Sequence, residues 1–449
     1  MPPAFSIIMA TYNRGRHIRP TIRSVLGQTF TDHELLIIGD ACDDDTAAIV
    51  APFVSDRVKW LNLPKRAGNQ HGPNNAGLRI ARGRYIAYLG HDDLWTPDHL
   101  AALRRVFVEA PGASFAVSGC VCYGPPGSGF HMVTGLFDSD EAKFKYFFPP
   151  SSFAHKADVI ARIGPWKAPE TMKRSVDADL LLRGAEAGLL FASTGEITVH
   201  KFAAGGRHLS YTRHGSEEQE LIARMMPEPG FGTFVAGVVA RARETGRYGL
   251  KYPDYERVPA GHYHTELITS KGILRPALLP LDGKAVMPQS DDNRSLDWRP
   301  ITMTRRRRIR WSGPNPRPRL LIPFHAAGRT RLRFVIYDAS DQDVIGKIRL
   351  TVNQVATPWR FCRHEQGSRQ GIIECHAELP GSNHTVVEFD LSGGASLEEL
   401  LRAVAGRPER IALGEIHLRP RAAAPGRRLA LHAAWQTRIA DAFRQLTKH

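Results

Sequence analysis

The first hundred residues of this chain alternate short apolar runs with segments of helical periodicity, and this alternation restricts the possible folds most. Apolar runs typical of buried strands recur at residues 5–10, 34–39, 58–63 and 85–89. Strands that alternate with helices of about ten residues form βαβ units with right-handed crossovers. The sequence therefore predicts an α/β fold with a mostly parallel sheet.

Polar side chains follow the first, second and fourth of these runs. They are Thr11, Tyr12 and Asn13, then Asp40, then His91, Asp92 and Asp93. Because the carboxyl ends of parallel strands meet at one edge of a sheet, we expect these side chains to share one rim. Adjacent carboxylates need a positive partner there, and hard divalent ions bind carboxylate and phosphate oxygens. The pair Asp92 and Asp93 indicates either a metal–diphosphate site or a solvated pair that caps the next helix.

The motifs around this rim resemble those of the family 2 nucleotide-sugar glycosyltransferases of GT-A fold. The matching pieces are SIIMATYNR, SVLGQTF, ELLIIGDACDDDT, GPNNAGLRIARGRYIAYLGHDDLWTPDHL and VDADLLLR, in order over roughly the first 200 residues. No GxGxxG or GxxxxGK[ST] loop occurs here, so neither a dinucleotide-binding turn nor a P-loop explains the rim. The resemblance implies a GT-A (Rossmann-like) domain that takes a sugar from a nucleoside diphosphate.

The resemblance also implies roles for individual residues. The implied nucleotide-sugar-binding residues are Thr11, Tyr12, Asn13, Asp40, Asn75, His91 and Asp92. The implied ligands of Mg²⁺ or Mn²⁺ are Asp92, Asp93 and His200. A helix-capping role is the alternative for Asp40, and a structural role is the alternative for His200.

The sequence departs from the family pattern in two places, and both lie at or next to predicted site residues. Gly90 and His91 stand where many members have an additional Asp, which leaves the identity of the metal and the need for it open. Val176 stands where members usually have Glu. The basic, glycine-rich loop at residues 205–213 either closes over the donor diphosphate or forms a surface turn.

The piece VDADLLLR begins a helix, which puts Asp177 and Asp179 at or just before its first turn. Transfer with inversion needs a base for the proton of the acceptor hydroxyl, and a partly desolvated carboxylate suits this task. In the family the first Asp of the motif has this role, and it corresponds to Asp177. A purely N-capping Asp177 is the alternative.

The second half of the chain changes character twice. We expect a GT-A domain at residues 1–245, a basic Pro/Arg-rich connector at 246–318, a β-sandwich at 319–420 and a C-terminal helix at 421–449. Short alternating runs separated by turns are typical of antiparallel sandwiches, and these resemble small jelly-roll modules. Some modules of this kind bind carbohydrate.

The net charge of +15 is concentrated in part between Arg299 and Ile336, which contain 11 arginines and no acidic residue. Such a strip indicates anionic partners or a solvated segment between domains. Nucleic acid is the less favoured partner, because the usual helical or zinc-bearing readers are absent. A peripheral contact with an anionic membrane or an acidic glycan acceptor suits a glycosyltransferase better.

Five cysteines without a CxxC pair favour reduced thiols and hence a cytoplasmic protein. The N-terminus lacks the pattern of a signal peptide, and we find no apolar run of about 18 residues. We therefore expect a cytoplasmic location, with any membrane contact peripheral and at the inner face.

These observations together predict an inverting glycosyltransferase of envelope polysaccharide or glycoconjugate synthesis. UDP-sugars are the commonest donors in the family, and the expected acceptor is a glycan, a lipid-linked intermediate or another hydroxyl compound. The alternative is a catalytically silent glycan-binding protein that uses the C-terminal sandwich.

Overall fold

The computed structural model describes residues 2–124, 128, 131–137, 148–202, 211, 216–249, 260–261, 278–281, 283–287, 298, 302–304, 307–313, 315–340, 342–365, 369–381, 384–402 and 411–420. Within these residues, no helix combines the length and the apolar character that crossing a bilayer requires.

The predicted alternation of strands and helices is present in the first 109 residues. In chain order the elements are β1 (Phe5–Thr11), α1 (Gly15–Leu26), β2 (His33–Gly39), α2 (Thr46–Val50), β3 (Val58–Asn62), α3 (His71–Ile80), β4 (Tyr85–Tyr88), β5 (Asp93–Trp95) and α4 (His99–Glu109). The four predicted strands begin and end within one residue of the expected positions. The short strand β5 was not predicted.

The strands β3, β2, β1 and β4 lie side by side in that order, and every pairing among them is parallel. Side chains of β1 alternate between two cores. Ile7 and Met9 pack with residues of α1 and α4, whereas Ile8 packs with residues of α3. Because both faces of the sheet are covered, the strands read as continuous apolar runs in the sequence.

The same sheet continues beyond β4. Its further elements and the helices around it are β6 (Ala113–Tyr123), β7 (His131–Thr134), β8 (Phe153–Lys156), α5 (Val159–Ile163), α6 (Val176–Glu186), β9 (Leu190–Lys201), α7 (Glu217–Met225) and α8 (Phe231–Glu244). β9 is parallel to β6, while β8 runs antiparallel to β4 and β6, and β5 runs antiparallel to β9. The predicted α/β fold class is confirmed.

Apart from one short parallel pair, the described strands of the second half pair antiparallel. Its described elements are β10 (Leu279–Pro280), β11 (Ala285–Met287), β12 (Thr302–Thr304), β13 (Arg307–Trp311), β14 (Arg319–Ile322), β15 (Phe324–His325), β16 (Ala327–Ala339), α9 (Gln342–Gly346), β17 (Arg349–Val352), β18 (Val355–Ala356), β19 (Trp359–Arg363), β20 (Gly371–Pro380), β21 (Thr385–Asp390), α10 (Leu397–Arg402) and β22 (Ile411–Pro420). A seven-stranded sheet contains β12, β13, β22, β16, β20 and β19 in that order, with β11 also on β22. A four-stranded sheet contains β14, β21, β17 and β18.

One apolar core lies between these two sheets. Phe334 of β16 and Phe389 of β21 meet edge to face, with ring centroids 5.1 Å apart. Both rings belong to one cluster of buried side chains. The predicted all-β character of the second half is therefore confirmed.

The strands β11 and β13 precede residue 319 and yet pair with β22. They are too short for their periodicity to stand out among the prolines and arginines of residues 246–318. The proposed division into four segments stays a prediction. The helix expected at residues 421–449 lies outside the described residues.

Candidate active site

The ends of β1, β2 and β4 bring the predicted rim residues together. Thr11 lies beside Gly39 in the parallel register, and the amide of Asp40 donates to the carbonyl of Thr11 at 2.8 Å. Nδ1 of His91 lies 3.1 Å from the carbonyl oxygen of Ala10. Three strand ends therefore share one edge of the sheet, which is where open α/β sheets bind ligands.

The carboxylate of Asp40 organises the loop before α3. It accepts hydrogen bonds from the amides of Ala67 at 2.6 Å and Gly68 at 2.8 Å. Gly68 has a φ of +74°, a conformation that glycine adopts without strain. The same loop carries Arg66, whose guanidinium lies 3.9 Å from the ring centroid of Tyr12. Asp40 thus fixes a loop whose cation stacks on an aromatic ring at the rim.

The three residues after β1 have different environments. The ring centroid of Tyr12 lies 6.5 Å from that of Tyr211. The hydroxyl of the buried Thr11 makes no hydrogen bond within the described part of the chain. Asn13 exchanges hydrogen bonds with Asp43: its Nδ2 donates to Oδ1 at 2.6 Å, and its Oδ1 accepts the Asp43 amide at 3.1 Å. Thr11 and Tyr12 therefore have groups left to meet a ligand, whereas the Asn13 side chain holds the loop that follows β2.

Asp92 lies at the rim against a cation. Its Oδ2 is 3.1 Å from Nη2 of Arg14 and 3.8 Å from Nε2 of His91. The guanidinium of Arg14 also lies 4.4 Å from the ring centroid of Tyr211, whose hydroxyl is 3.2 Å from Nε2 of His91. One carboxylate, one guanidinium, one imidazole and one phenol thus meet at the edge where β1 and β4 end.

These rim residues fit a divalent cation that a bound diphosphate helps to hold. The described residues contain no group of three His, Cys, Asp or Glu side chains arranged to bind a metal by themselves. Mg²⁺ commonly takes one or two protein carboxylates and completes its coordination with substrate phosphate oxygens and water. Asp92 supplies one carboxylate at the rim, and His91 lies beside it.

The structure separates Asp93 and His200 from this position, although both were predicted to bind the metal with Asp92. Asp93 is fully buried opposite Lys201, with Oδ2 3.1 Å from Nζ. His200 is also fully buried, and the hydroxyl of Tyr123 lies 2.8 Å from its Nδ1. Burial lowers the pKa of His200 to about 3. Successive residues of a strand face opposite sides of the sheet. The pairing of β5 with β9 therefore places Asp93 beside the Lys201 ammonium, whereas the His200 side chain lies on the other side of the sheet among apolar residues.

Gly90 has a packing reason to lack a side chain. A Cβ atom at this position would lie 2.7 Å from Oδ2 of Asp93 and 3.4 Å from Oγ of Ser151. The amide of Gly90 donates to Oγ of Ser151 at 2.9 Å, and this hydroxyl donates to Oδ2 of Asp93 at 2.5 Å. A side chain at position 90 does not fit this arrangement.

Asp177 is a desolvated carboxylate in the first turn of α6. Burial raises the pKa of Asp177, and hydrogen bonding with Ser175 and the charge of Lys201 oppose this only in part. The N-cap is Ser175, whose hydroxyl oxygen accepts the amide of Ala178 at 3.4 Å. The N-cap of α6 is therefore Ser175 and not Asp177. A carboxylate with a raised pKa suits a general base.

Arg183 fixes the first turn of α6. Its Nε donates to Oδ2 of Asp179 at 2.8 Å. Its Nη1 and Nη2 donate to the carbonyls of Gly164 at 3.0 Å and Pro165 at 2.9 Å. These contacts attach the start of the helix, and with it Asp177, to the preceding turn.

Asn75 has a different contact from the one predicted. Its Nδ2 donates to the carbonyl of Trp166 at 2.8 Å, and its Oδ1 accepts the amide of Trp166 at 3.0 Å. Trp166 is buried and packs edge to face on Tyr88, with centroids 4.9 Å apart. Asn75 therefore attaches α3 to the turn that precedes α6.

The charge of Lys201 acts on Asp92 at the rim and also on Asp177, the candidate general base. Burial alone would lower its pKa, but the carboxylates of Asp93 and Asp92 hold the pKa of Lys201 above its usual range. The same ammonium acts on the pKa of Asp177. Asp92, Asp93 and Asp177 therefore lie within electrostatic range of one buried cation.

Four residues of the site were not among the predicted site residues: Arg14, Arg66, Lys201 and Tyr211. Arg14 directly follows the Tyr12–Asn13 pair, and Arg66 lies in the polar loop before α3, so adjacency to a motif is the signal that would have found them. Lys201 reaches the site only through the pairing of β9 with β5. Tyr211 is the described residue of the basic loop 205–213, and burial raises its pKa above the usual range.

Comparison with known sequences gives a consistent family. The family model described as "Glycosyl transferase family 2" matches residues 6–157. A poly(ribitol-phosphate) β-N-acetylglucosaminyltransferase of Staphylococcus aureus is 39% identical over 93 residues, which are 20% of this chain and 28% of that protein. A UDP-Glc:α-D-GlcNAc-diphosphoundecaprenol β-1,3-glucosyltransferase of Escherichia coli is 40% identical over 95 residues, 21% of this chain and 37% of that protein. The matches thus span only about a third of the length of these relatives.

Solved structures include distant neighbours. A crystal structure of S. aureus TarS in complex with UDP-GlcNAc has 17% sequence identity and a TM-score of 0.39, over 54% of this chain and 73% of that chain. A mannosyltransferase from Pyrobaculum calidifontis in complex with GDP-Man and Mn²⁺ has 16% identity and a TM-score of 0.36, over 55% of this chain and 76% of that chain.

Proposed function

We propose that this chain, whose residues 6–157 match the model of glycosyl transferase family 2, is an inverting glycosyltransferase that uses a nucleoside diphosphate sugar. The observation that carries the proposal is that Tyr12 and Asp92 lie at one edge of the sheet, while the buried carboxylate of Asp177 lies within electrostatic range of Lys201, which also acts on Asp92. Asp92 and Asp177 act electrostatically on the same Lys201. A transferase needs these two groups on either side of the reacting sugar.

The base of the donor would stack at Tyr12. The ring of Tyr12 and the guanidinium of Arg66 already form a cation–π pair, and a nucleobase is a third planar group of the same kind. Asp40 supports this position through the loop that carries Arg66. Thr11, with an unpaired hydroxyl in the described part of the chain, is the expected polar contact to the nucleoside.

The diphosphate would lie against Asp92 and Arg14. Arg14 supplies a guanidinium, which binds phosphate oxygens with two parallel hydrogen bonds. Asp92 would hold a divalent cation there, which would supply positive charge to the leaving diphosphate. His91 lies beside Asp92 and is oriented by the carbonyl of Ala10.

The acceptor hydroxyl would give its proton to Asp177. The hydroxyl oxygen forms the new bond to the anomeric carbon, the bond from that carbon to the diphosphate oxygen breaks, and the proton moves to the carboxylate. Attack opposite the leaving group inverts the anomeric configuration. Burial raises the pKa of Asp177, so this carboxylate accepts a proton more readily than an exposed Asp.

We further propose a UDP-sugar donor and a lipid-linked or glycan acceptor of the cell envelope. The relatives reported above support this choice, since one acts on poly(ribitol-phosphate) and one transfers glucose from UDP-Glc to a diphosphoundecaprenol-linked sugar. A lipid-linked acceptor would require peripheral contact with the inner face of the membrane, where nucleotide sugars are present.

Calorimetric titration with UDP and UDP-sugars, with and without Mn²⁺, tests the proposal. We expect binding that Mn²⁺ strengthens in the native protein and not in Asp92→Asn. Asp177→Asn should bind the donor as the native protein does. If no nucleotide or nucleotide sugar binds, the proposal fails and the catalytically silent glycan-binding alternative gains support.

A further inference from the structure

The seven-stranded sheet has one apolar face and one face rich in arginine. Along β16, Leu332 and Phe334 point into the core between the sheets, so the alternating residues Arg329, Arg331 and Arg333 lie on the other side. Neighbouring strands add basic residues in the same register. We call this surface, formed by Arg329, Arg331, Arg333, Arg360 and Arg419, the arginine face.

A single carboxylate holds three of these guanidinium groups in place. Oε1 of Glu374 is 2.7 Å from Nη2 of Arg360, and its Oε2 is 3.4 Å from Nε of Arg333 and also contacts Arg331. Glu374 is only 4% exposed. Burial would raise its pKa, but Arg331 and Arg360 hold the pKa of Glu374 below its usual range. Three cations fixed by one anion leave an excess of two positive charges.

The next row across the sheet contains basic residues alone. Arg331 lies directly opposite Arg419 of β22 on one side and His376 of β20 on the other. Like charges directly opposite on neighbouring strands are destabilising. Glu378 and Glu415 lie on the same side of the sheet at other positions, so the five arginines remain in excess over three glutamates. An anion bound across this row would relieve the repulsion.

We propose that the arginine face binds a linear acidic polysaccharide through its carboxylate groups. Alternate residues of a strand are roughly 7 Å apart and adjacent strands are roughly 5 Å apart, so the backbone positions that carry these arginines form a regular array. Guanidinium groups bind carboxylates with two parallel hydrogen bonds, which favours a ligand with charges at fixed intervals. This site is separate from the donor site and does not depend on the proposed transfer reaction.

The arrangement favours a polymer that lies along the sheet over a membrane surface. Basic segments that bind anionic lipids act through clusters of mobile charged side chains. Here Arg331 and Arg333 are 37% and 36% exposed, because their guanidinium groups are drawn down to Glu374. Groups that are fixed before binding lose less entropy when a ligand of matching spacing binds.

Binding of fluorescein-labelled polygalacturonate by the full chain, measured by fluorescence anisotropy at low salt, tests the proposal. The test variant is Arg331→Gln with Arg419→Gln, which leaves Arg333 and Arg360 to neutralise Glu374. The control is Arg104→Gln with Arg105→Gln on α4, which removes the same charge elsewhere. We expect at least about tenfold weaker binding in the test variant, because two charge-assisted contacts are lost, and unchanged binding in the control.

Three results would overturn the proposal: equal weakening in both double variants, unchanged binding in the test variant, or absence of binding by the native chain. Tighter binding of phosphatidylglycerol vesicles or of a short DNA duplex than of polygalacturonate would also overturn it. Neutral dextran should not bind. If the test variant melts at a lower temperature than the native chain, Arg329→Gln with Arg360→Gln gives a second measurement with the same expected loss.

Discussion

The two halves of this chain place their charged side chains in opposite ways. In the N-terminal sheet, Asp93 and Asp177 lie at a strand start and a helix start and are buried, and the side chain of Lys201 at the end of β9 is only 18% exposed. In the C-terminal seven-stranded sheet, Arg331 and Arg360 lie in mid-strand on the outer face over an apolar core. Buried charges interact strongly and shift each other's pKa, whereas exposed charges remain screened by water. The first arrangement suits chemistry on a desolvated substrate, and the second suits reversible binding of a charged polymer.

The largest effect should come from the buried base. We expect Asp177→Asn to lower turnover by about 10²–10⁴-fold, because an amide cannot accept the acceptor proton, while donor affinity stays unchanged. Turnover is measured as release of nucleoside diphosphate in the presence of acceptor. Asp179→Asn, two positions further along the same helix, is the matched control and should keep most activity. A loss confined to Asp179→Asn would contradict the assignment of the base.

The second prediction concerns the free energy of unfolding. It tests the buried charges of the N-terminal sheet separately from the exposed charges of the C-terminal sheet. Lys201→Met should destabilise the N-terminal sheet by about 3–5 kcal/mol, because it leaves the buried carboxylate of Asp93 without its partner. The double variant Asp93→Asn with Lys201→Met should recover most of this loss. Urea unfolding followed by tryptophan fluorescence measures both changes. Equal stability of the single and double variants would show that the pair is not the cause.

A smaller effect is expected for the aromatic ring at the rim. Tyr12→Ala should weaken UDP binding by roughly tenfold, since stacking and cation–π contacts of this kind contribute about 1–2 kcal/mol. Tyr12→Phe keeps the ring and should bind normally. Calorimetric titration distinguishes the two variants. Normal binding by Tyr12→Ala would place the nucleobase elsewhere.

The contribution of Asp177 to the stability of the folded protein should decrease as the pH rises, as expected for a buried acid. Burial raises the pKa of Asp177, so between the pKa of the unfolded chain, about 3.9, and that of the folded protein, the folded state retains a proton that the unfolded state has lost. The stabilising contribution of this group therefore falls as the pH rises through that interval and stays lost above it. Asp177→Asn should raise the melting temperature at neutral pH and leave it unchanged below pH about 3.9. A lower melting temperature at neutral pH would reverse this sign.

The smallest effect should come from the exposed side of the arginine face. Arg360→Ala should hardly change stability, because its side chain is 69% exposed and Glu374 keeps Arg331 and Arg333 as partners. The contrast with Lys201→Met, measured by the same urea unfolding, defines the difference between the two halves. Comparable losses in both variants would remove that difference.

Much of the N-terminal sheet could be predicted from local sequence, because a strand covered on both faces must be apolar along its whole length. The ends of β1, β2 and β4 were predicted within one residue, and with them the polar side chains at their ends. The position of Asp177 in the first turn of α6 was also predicted from local sequence, whereas the capping role of Ser175 was not. By contrast, Lys201 could be assigned to the site only when the pairing of β9 with β5 was known.

The sequence by itself determined that polar residues would gather at one edge of an α/β sheet, since strand periodicity and strand ends are local properties of the chain. Only the tertiary structure decided which of them face a ligand. Asp92 and Asp93 are adjacent in sequence, yet the first lies against Arg14 at the rim and the second against Lys201 in the interior. Asn75 likewise turned to the main chain of Trp166, 91 positions away. Such choices depend on pairing between distant segments, and no local pattern encodes which segment will be the neighbour.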